Sequence, residues 1–130
     1  MDTKEYFDLY ELVLSRISEE RPNDFDKLLI GLEYEFEINN LIEKFGPKKT
    51  VRIIDETVGN LIDDKLIKGT SVSTKDGNFY LLEGLTTKGY EYLSVLENDS
   101  LKNKAIKYLK DEGLPETPGQ IVKAISRLFL

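Results

Sequence analysis

Between Ile38 and Leu82 the spacing of apolar residues changes period twice, and few architectures accommodate that change. Ile38, Leu41, Ile42 and Phe45 recur at intervals of three and four, the stripe of an amphipathic helix. Gly46-Pro47 ends the stripe. Val51, Ile54, Val58, Leu61 and Ile62 then resume helical spacing, with Thr50 placed to cap the new helix. Two helices joined by a turn of three or four residues containing glycine form a helix-turn-helix. The period then shortens. Thr70–Thr74 is rich in β-branched residues, and Lys75-Asp76-Gly77-Asn78 predicts a tight hairpin in which Asp-Gly supplies the positive φ angles. Phe79-Tyr80-Leu81-Leu82 is the return strand, so a two-stranded wing directly follows the second helix. Gly59, inside that helix, costs up to about 1 kcal/mol against alanine and predicts the close approach of a neighbouring helix.

The flanks read as helices. Tyr6, Leu9, Tyr10, Val13, Leu14 and Ile17 form one apolar stripe, capped by Thr3 or Asp2. Asn23 or Asp24 caps a short helical turn around Phe25–Ile30. Residues 32–38 allow two readings. Leu32, Tyr34, Phe36 and Ile38 alternate with Glu33, Glu35 and Glu37 as in a half-buried strand, whereas a helix from Asp24 through Phe45 fits equally. After the hairpin, Thr86 or Thr87 caps a helix, Asn98-Asp99-Ser100 starts another that Gly113 stops, and Thr117-Pro118 opens a last one. The expected order is three helices, the hairpin and three more helices. The fold class is mainly α with a small β-ribbon (α+β): a winged helix-turn-helix over residues 1–97. Residues 98–130 form a C-terminal extension of two helices, packed on the core or used for dimerisation.

Among the 130 residues there is neither cysteine nor histidine. Thiol chemistry, disulfides and every histidine-dependent triad are therefore excluded, as are zinc and iron–sulfur sites built on those ligands. Asp55-Glu56 and Asp63-Asp64 are adjacent on a helix and diverge by about 100°, so neither pair converges on one ion. Ser71, Ser73 and Thr74 have no histidine base, and no phosphate-binding glycine loop is present. A non-enzymatic protein without cofactor or metal is expected. No window is apolar enough to span a membrane, and MDTKEYFDLYELVLSR carries acid where a signal peptide carries base, which predicts a cytoplasmic protein.

The run INNLIEKFGPKKTVRIIDETVGNLIDDKLIKG resembles the helix-turn-helix core of bacterial winged-helix proteins. GLTTKGYEYL resembles the helix start that follows their wing, with the pattern L-T-x-x-G-x-x-(Y/F)-L. This likeness covers about residues 38–97. More narrowly, Gly84 to Lys110, including NKAIKYLK, is similar to the YjcQ-like small proteins of Gram-positive bacteria and their phages, a family without assigned activity. The resemblance implies a winged-helix fold and a phage or prophage setting. One departure stands out: the recognition helix carries Asp55, Glu56 and Asp63 beside Arg52 and Asn60.

Two partners compete for the surface. Lys48, Lys49, Thr50 and Arg52 cluster where a recognition helix begins, with Asn60 further along it and Lys68, Lys75 and Asn78 on the wing. Those residue types at those positions suit double-stranded DNA and a transcriptional regulator, paired as a homodimer through the C-terminal helices. Their plainer reading is solvated charge around a turn. Against DNA stands the charge balance, net −6, with 12 acidic and 5 basic residues in 1–46. Glu33, Tyr34, Glu35, Phe36 and Glu37 suit instead a protein-interaction module that binds a basic host protein, or a solubilising face with its aromatics turned inward.

Overall fold

A computed structural model describes residues 1–75, 77–115 and 118–130, with the side chains of Asn78 and Pro118 outside the description. Asp76 in the expected hairpin turn and Thr117, the expected cap of the last helix, also lie outside the described residues. The chain is α+β, mostly helical, with one two-stranded antiparallel sheet among the described residues. In order the elements are α1 (Thr3–Glu20), α2 (Phe25–Leu32), α3 (Phe36–Phe45), α4 (Pro47–Asp63), β1 (Ile67–Thr74), β2 (Gly77–Leu85), α5 (Thr87–Glu97), α6 (Asp99–Asp111) and α7 (Pro118–Phe129).

The first helix is the axle of the core. Phe7, Leu9, Tyr10, Val13, Leu14 and Ile17 are all buried, because α1 packs against α2, α3, α5, α6, α7 and β2. Each such side chain contributes about 1.5–3 kcal/mol by leaving water. A capping box starts α1: Asp2 accepts from the Glu5 amide at 2.8 Å, and Glu5 accepts from the Asp2 amide at 3.3 Å. Its polar strip is claimed by α6, where the Lys102 ammonium donates to Asp8 and Glu11 at 2.6 Å each. Ala105, Ile106 and Leu109 of α6 and Ile121, Val122, Ala124 and Ile125 of α7 belong to the same buried cluster as α1. Through α7, α4 is tied to that cluster as well.

β1 and β2 pair from Ile67↔Leu85 to Thr74↔Gly77, with a bulge between Ile67 and Gly69. A third segment joins them. Asp24 bridges to Leu81, and the Leu82 amide donates to the Asn23 carbonyl at 2.9 Å.

Four helices, not three, precede the hairpin, because the turn expected around Phe25–Ile30 is a full two-turn helix capped by Asp24. Neither reading of residues 32–38 holds. Leu32 and Ile38 are both buried, and the chain turns between them, with the amides of Glu33 and Glu35 donating to the carbonyls of Ile30 and Leu32. Thr50 does not cap α4. Pro47 needs no amide partner and has its φ preset, so the helix starts at once, and Gly46 (φ 82°) serves as the cap. The expected turn of three or four residues shrinks to that one glycine. Gly59 is approached by the hairpin and not by a helix: a Cβ there would stand 2.8 Å from the Tyr80 hydroxyl.

The root of the hairpin is locked to the end of α4. Lys65 takes a left-handed conformation (φ 66°), and the Leu66 amide donates to Leu61 at 2.9 Å, which closes the end of α4. The Thr86 amide donates to the Leu66 carbonyl at 3.0 Å, and its hydroxyl donates to the Lys65 carbonyl at 2.6 Å while accepting from the Gly89 amide at 2.9 Å. Gly89 packs directly on that carbonyl: a Cβ would stand 2.1 Å from the Leu66 oxygen. Gly89→Ala is therefore expected to lower stability by at least about 2 kcal/mol, read from the urea midpoint. An unchanged midpoint would contradict the clasp.

Candidate nucleic-acid interface

Four cation-bearing positions are presented around the start of α4 and the hairpin tip. Lys48, Lys49 and Arg52 are exposed in the first two turns of α4, and Lys75 is exposed after β1. The side chains of Asp2, Asp24, Thr86 and Asn98 cap α1, α2, α5 and α6, but no side chain caps the first turn of α3 or of α4. The leading amides of α4 and the positive end of its dipole thus face outward beside the cations. The Lys49 ammonium lies 4.7 Å above the Phe45 ring, which holds it in place. Beside it Phe45, Gly46, Pro47, Lys48 and Val51 line a shallow, mainly apolar depression. Val51 and this depression carry no charge or motif that would have marked them in the sequence.

Two contacts set the direction of the hairpin. A Cβ at Gly69 would meet Ile62, and one at Gly59 would meet Tyr80, whose strand partner is Ser71. The hairpin therefore leaves the C-terminal end of α4 and lies against that part of the helix. That geometry separates the expected contact residues. Lys68 sits at the hairpin root in a depression with Arg21, Glu83 and Tyr90, roughly 20 Å along α4 from Lys48. Asn60 is half-buried and about 18 Å from Lys48 on the same measure. Thr50 is 1% exposed, and its hydroxyl donates to the Gly46 carbonyl at 2.8 Å, so it is a structural residue and not a surface contact. The side chain of Asn78 lies outside the described residues.

Around α1 the positive groups are matched. Lys4 pairs with Asp8, Lys44 with Glu5, Lys102 with Asp8 and Glu11, and Arg16 with Glu19, Glu20 and Glu35. Among the described residues Lys48, Arg52 and Lys75 make no ion pair, and neither does Lys68. Negative charge begins one turn further along α4. Burial, and then the neighbouring Glu56, push the Asp55 carboxyl above its usual range. Burial also pushes up the Tyr80 phenol, helped by the charges of Asp55 and Asp63.

The acidic–aromatic segment has a different form. Glu35 turns inward to Arg16, and Tyr34 and Phe36 on either side are left 89% and 74% exposed. Of its glutamates Glu33 is exposed and Glu37 half-buried. The aromatics are not turned into the core. Ile30, 65% exposed at the end of α2, extends the same apolar feature, and nothing in its helical spacing singled it out.

Among the described residues no group of three or more acidic side chains is placed to hold a metal ion, and no helix is long and apolar enough to cross a membrane. Comparison with family models, with curated proteins and with solved structures finds no match.

The raised Asp55 carboxyl has a consequence for stability. Folding disfavours its charged form, so neutralising it stabilises the protein wherever the group would be ionised. Asp55→Asn should raise the urea midpoint at pH 7, and the gain should fade as pH falls through the carboxylate range, disappearing near pH 3 where aspartate is already neutral. An equal gain at both pH values would rule out charge as the cause.

Proposed function

We propose that the chain is a non-enzymatic winged helix-turn-helix protein of phage or prophage type. It binds double-stranded DNA as a transcriptional regulator, without a cofactor. The observation that carries this reading is the cluster of exposed cations Lys48, Lys49 and Arg52 in the first two turns of α4, where no side chain caps the helix. Supporting it, α3 and α4 meet across Gly46, the hairpin lies against the C-terminal part of α4, and Asn23–Asp24 adds a short third segment to the sheet. This order of helix, bridge, helices and hairpin is what a winged helix requires.

Each residue then has a role. The first two turns of α4 enter the major groove end-on, with Lys48 and Lys49 on phosphates and Arg52 reaching a guanine edge. Lys75 touches the adjacent backbone. The apolar depression at Phe45, Pro47 and Val51 accepts a thymine methyl or a sugar face. Asp55, Glu56 and Asp63 keep the rest of α4 off the phosphates, so contacts are few and affinity is modest. Pairing of two copies through α7, where Leu128 and Leu130 remain exposed, would place two such helices on successive half-sites.

Binding of mixed-sequence duplex, followed by fluorescence anisotropy, tests this. With three to four phosphate contacts per copy, log K should fall with log salt at a slope of roughly −3, a loss of about 60-fold between about 50 and 200 mM. Lys48→Ala with Arg52→Ala should weaken binding and flatten the slope by about 1, the share of the one phosphate contact removed. Binding that is absent at the lower salt, or indifferent to both substitutions, would overturn the reading.

A further inference from the structure

The turn between α2 and α3 exposes its aromatics by construction. Buried Leu32 and Ile38 anchor its two ends, and Arg16 draws Glu35 inward. Tyr34 and Phe36, on either side of Glu35, are left in solvent. Phe36 forms the lip of a groove of about 330 Å³ between α1 and α3, floored by Leu9 and Leu41 and edged by Glu5, Asp8 and Glu37. A second depression, lined by Asp8, Glu11, Leu12, Ser15, Glu37 and Lys102, shares Asp8 and Glu37 with the first. Together they form one trough along α1 from Asp2 to Ser15, roughly 20 Å or three to four helical turns long.

The chemistry of the trough selects its occupant. Of the five carboxylates that line it, Glu5, Asp8 and Glu11 are paired with Lys44, Lys4 and Lys102, which leaves a net negative edge, and Glu33 and Glu37 beside the aromatics have no ion-pair partner among the described residues. Nucleic acid and anionic lipid are repelled by that charge. Two copies meeting trough to trough would set like acidic edges against each other. A segment with apolar residues on one side and lysine or arginine on the other meets both the aromatic lip and the acidic edge.

We propose that the α1–α3 trough, with Tyr34 and Phe36 as anchors, is a docking site for a cationic amphipathic helix of a partner protein. The site is distinct from the cluster at the start of α4. Exposed aromatic side chains rimmed by polar groups supply the concentrated contact energy of such interfaces, and the complementary charge speeds encounter.

The test uses the full chain and a fluorescent synthetic peptide of about 18 residues, with leucines on one helical face and lysines on the other. A control peptide carries glutamate in place of lysine. The lysine peptide should bind and the glutamate peptide should not. Tyr34→Ala and Phe36→Ala should each weaken binding about tenfold while circular dichroism and the urea midpoint stay unchanged, since both side chains are exposed. Glu33→Gln with Glu37→Gln should reduce both affinity and its salt dependence, and Arg52→Ala should change neither, which separates this site from the DNA face. The assignment is overturned if the lysine peptide fails to bind, if it binds the Tyr34 and Phe36 variants as tightly as the parent, or if the glutamate peptide binds equally well. A dimer in sedimentation that Phe36→Ala dissolves would also overturn it, because a second copy would then be the occupant.

Discussion

The carbonyl of Leu66 is the point on which the rest of this arrangement depends. Three elements meet there: the closed end of α4, the return of the hairpin and the first turn of α5. The Thr86 amide donates to this carbonyl while its hydroxyl donates to the neighbouring Lys65 carbonyl and caps α5, so α5 can start only where α4 has ended. Gly89 allows the helix to lie directly on the oxygen, which no other residue permits at this distance. Since β2 leads straight into Thr86, the clasp also fixes the root of the hairpin.

Charge is sorted by the same architecture. The acidic strip of α1 would be costly beside a packed core, and Lys102 neutralises it from α6. Burial pushes the Asp8 carboxyl up, but hydrogen bonds and charge from Lys102 and Lys4 outweigh this and hold it below its usual range. Cations are thus drawn into the structure around α1, while those at the start of α4 and on the hairpin are left to solvent. Two unlike surfaces result. One is small and basic with an uncapped helix end, and the other is long, acidic and lipped by aromatic rings.

Much of this was legible in the chain itself. The stripes of α1, α3 and α4, the caps at Asp24, Thr86 and Asn98 and the presence of a hairpin after α4 follow from spacing and turn chemistry, which act over a few residues, whereas the register is shifted: Thr74 pairs with Gly77, so Gly77 belongs to the strand. The pattern in GLTTKGYEYL was recognisable, but its cause, the contact of Gly89 with Leu66, lies across the fold. What escaped was long-range. The alternation at 32–38 has the period of a strand, yet an ion pair to Arg16 and two buried leucine and isoleucine anchors turn it into a helix-to-helix elbow. Thr50 looked like a cap because Pro47 was read as an end and not as a beginning. Lys68 and Asn60 share a helix-and-hairpin unit with Lys48, and only the length of α4 separates them.

The central claim is that nucleic acid meets the first turns of α4 and the hairpin tip, and not the other exposed cations, Lys104, Lys107 and Lys110 on α6. Amide-resolved NMR during titration with a short duplex at low salt addresses this most directly. The account predicts shifts concentrated between Gly46 and Glu56 and around Thr74 and Lys75, with α6 and the α1–α3 trough silent. Shifts centred on α6, or an unchanged spectrum at saturating duplex, would contradict it.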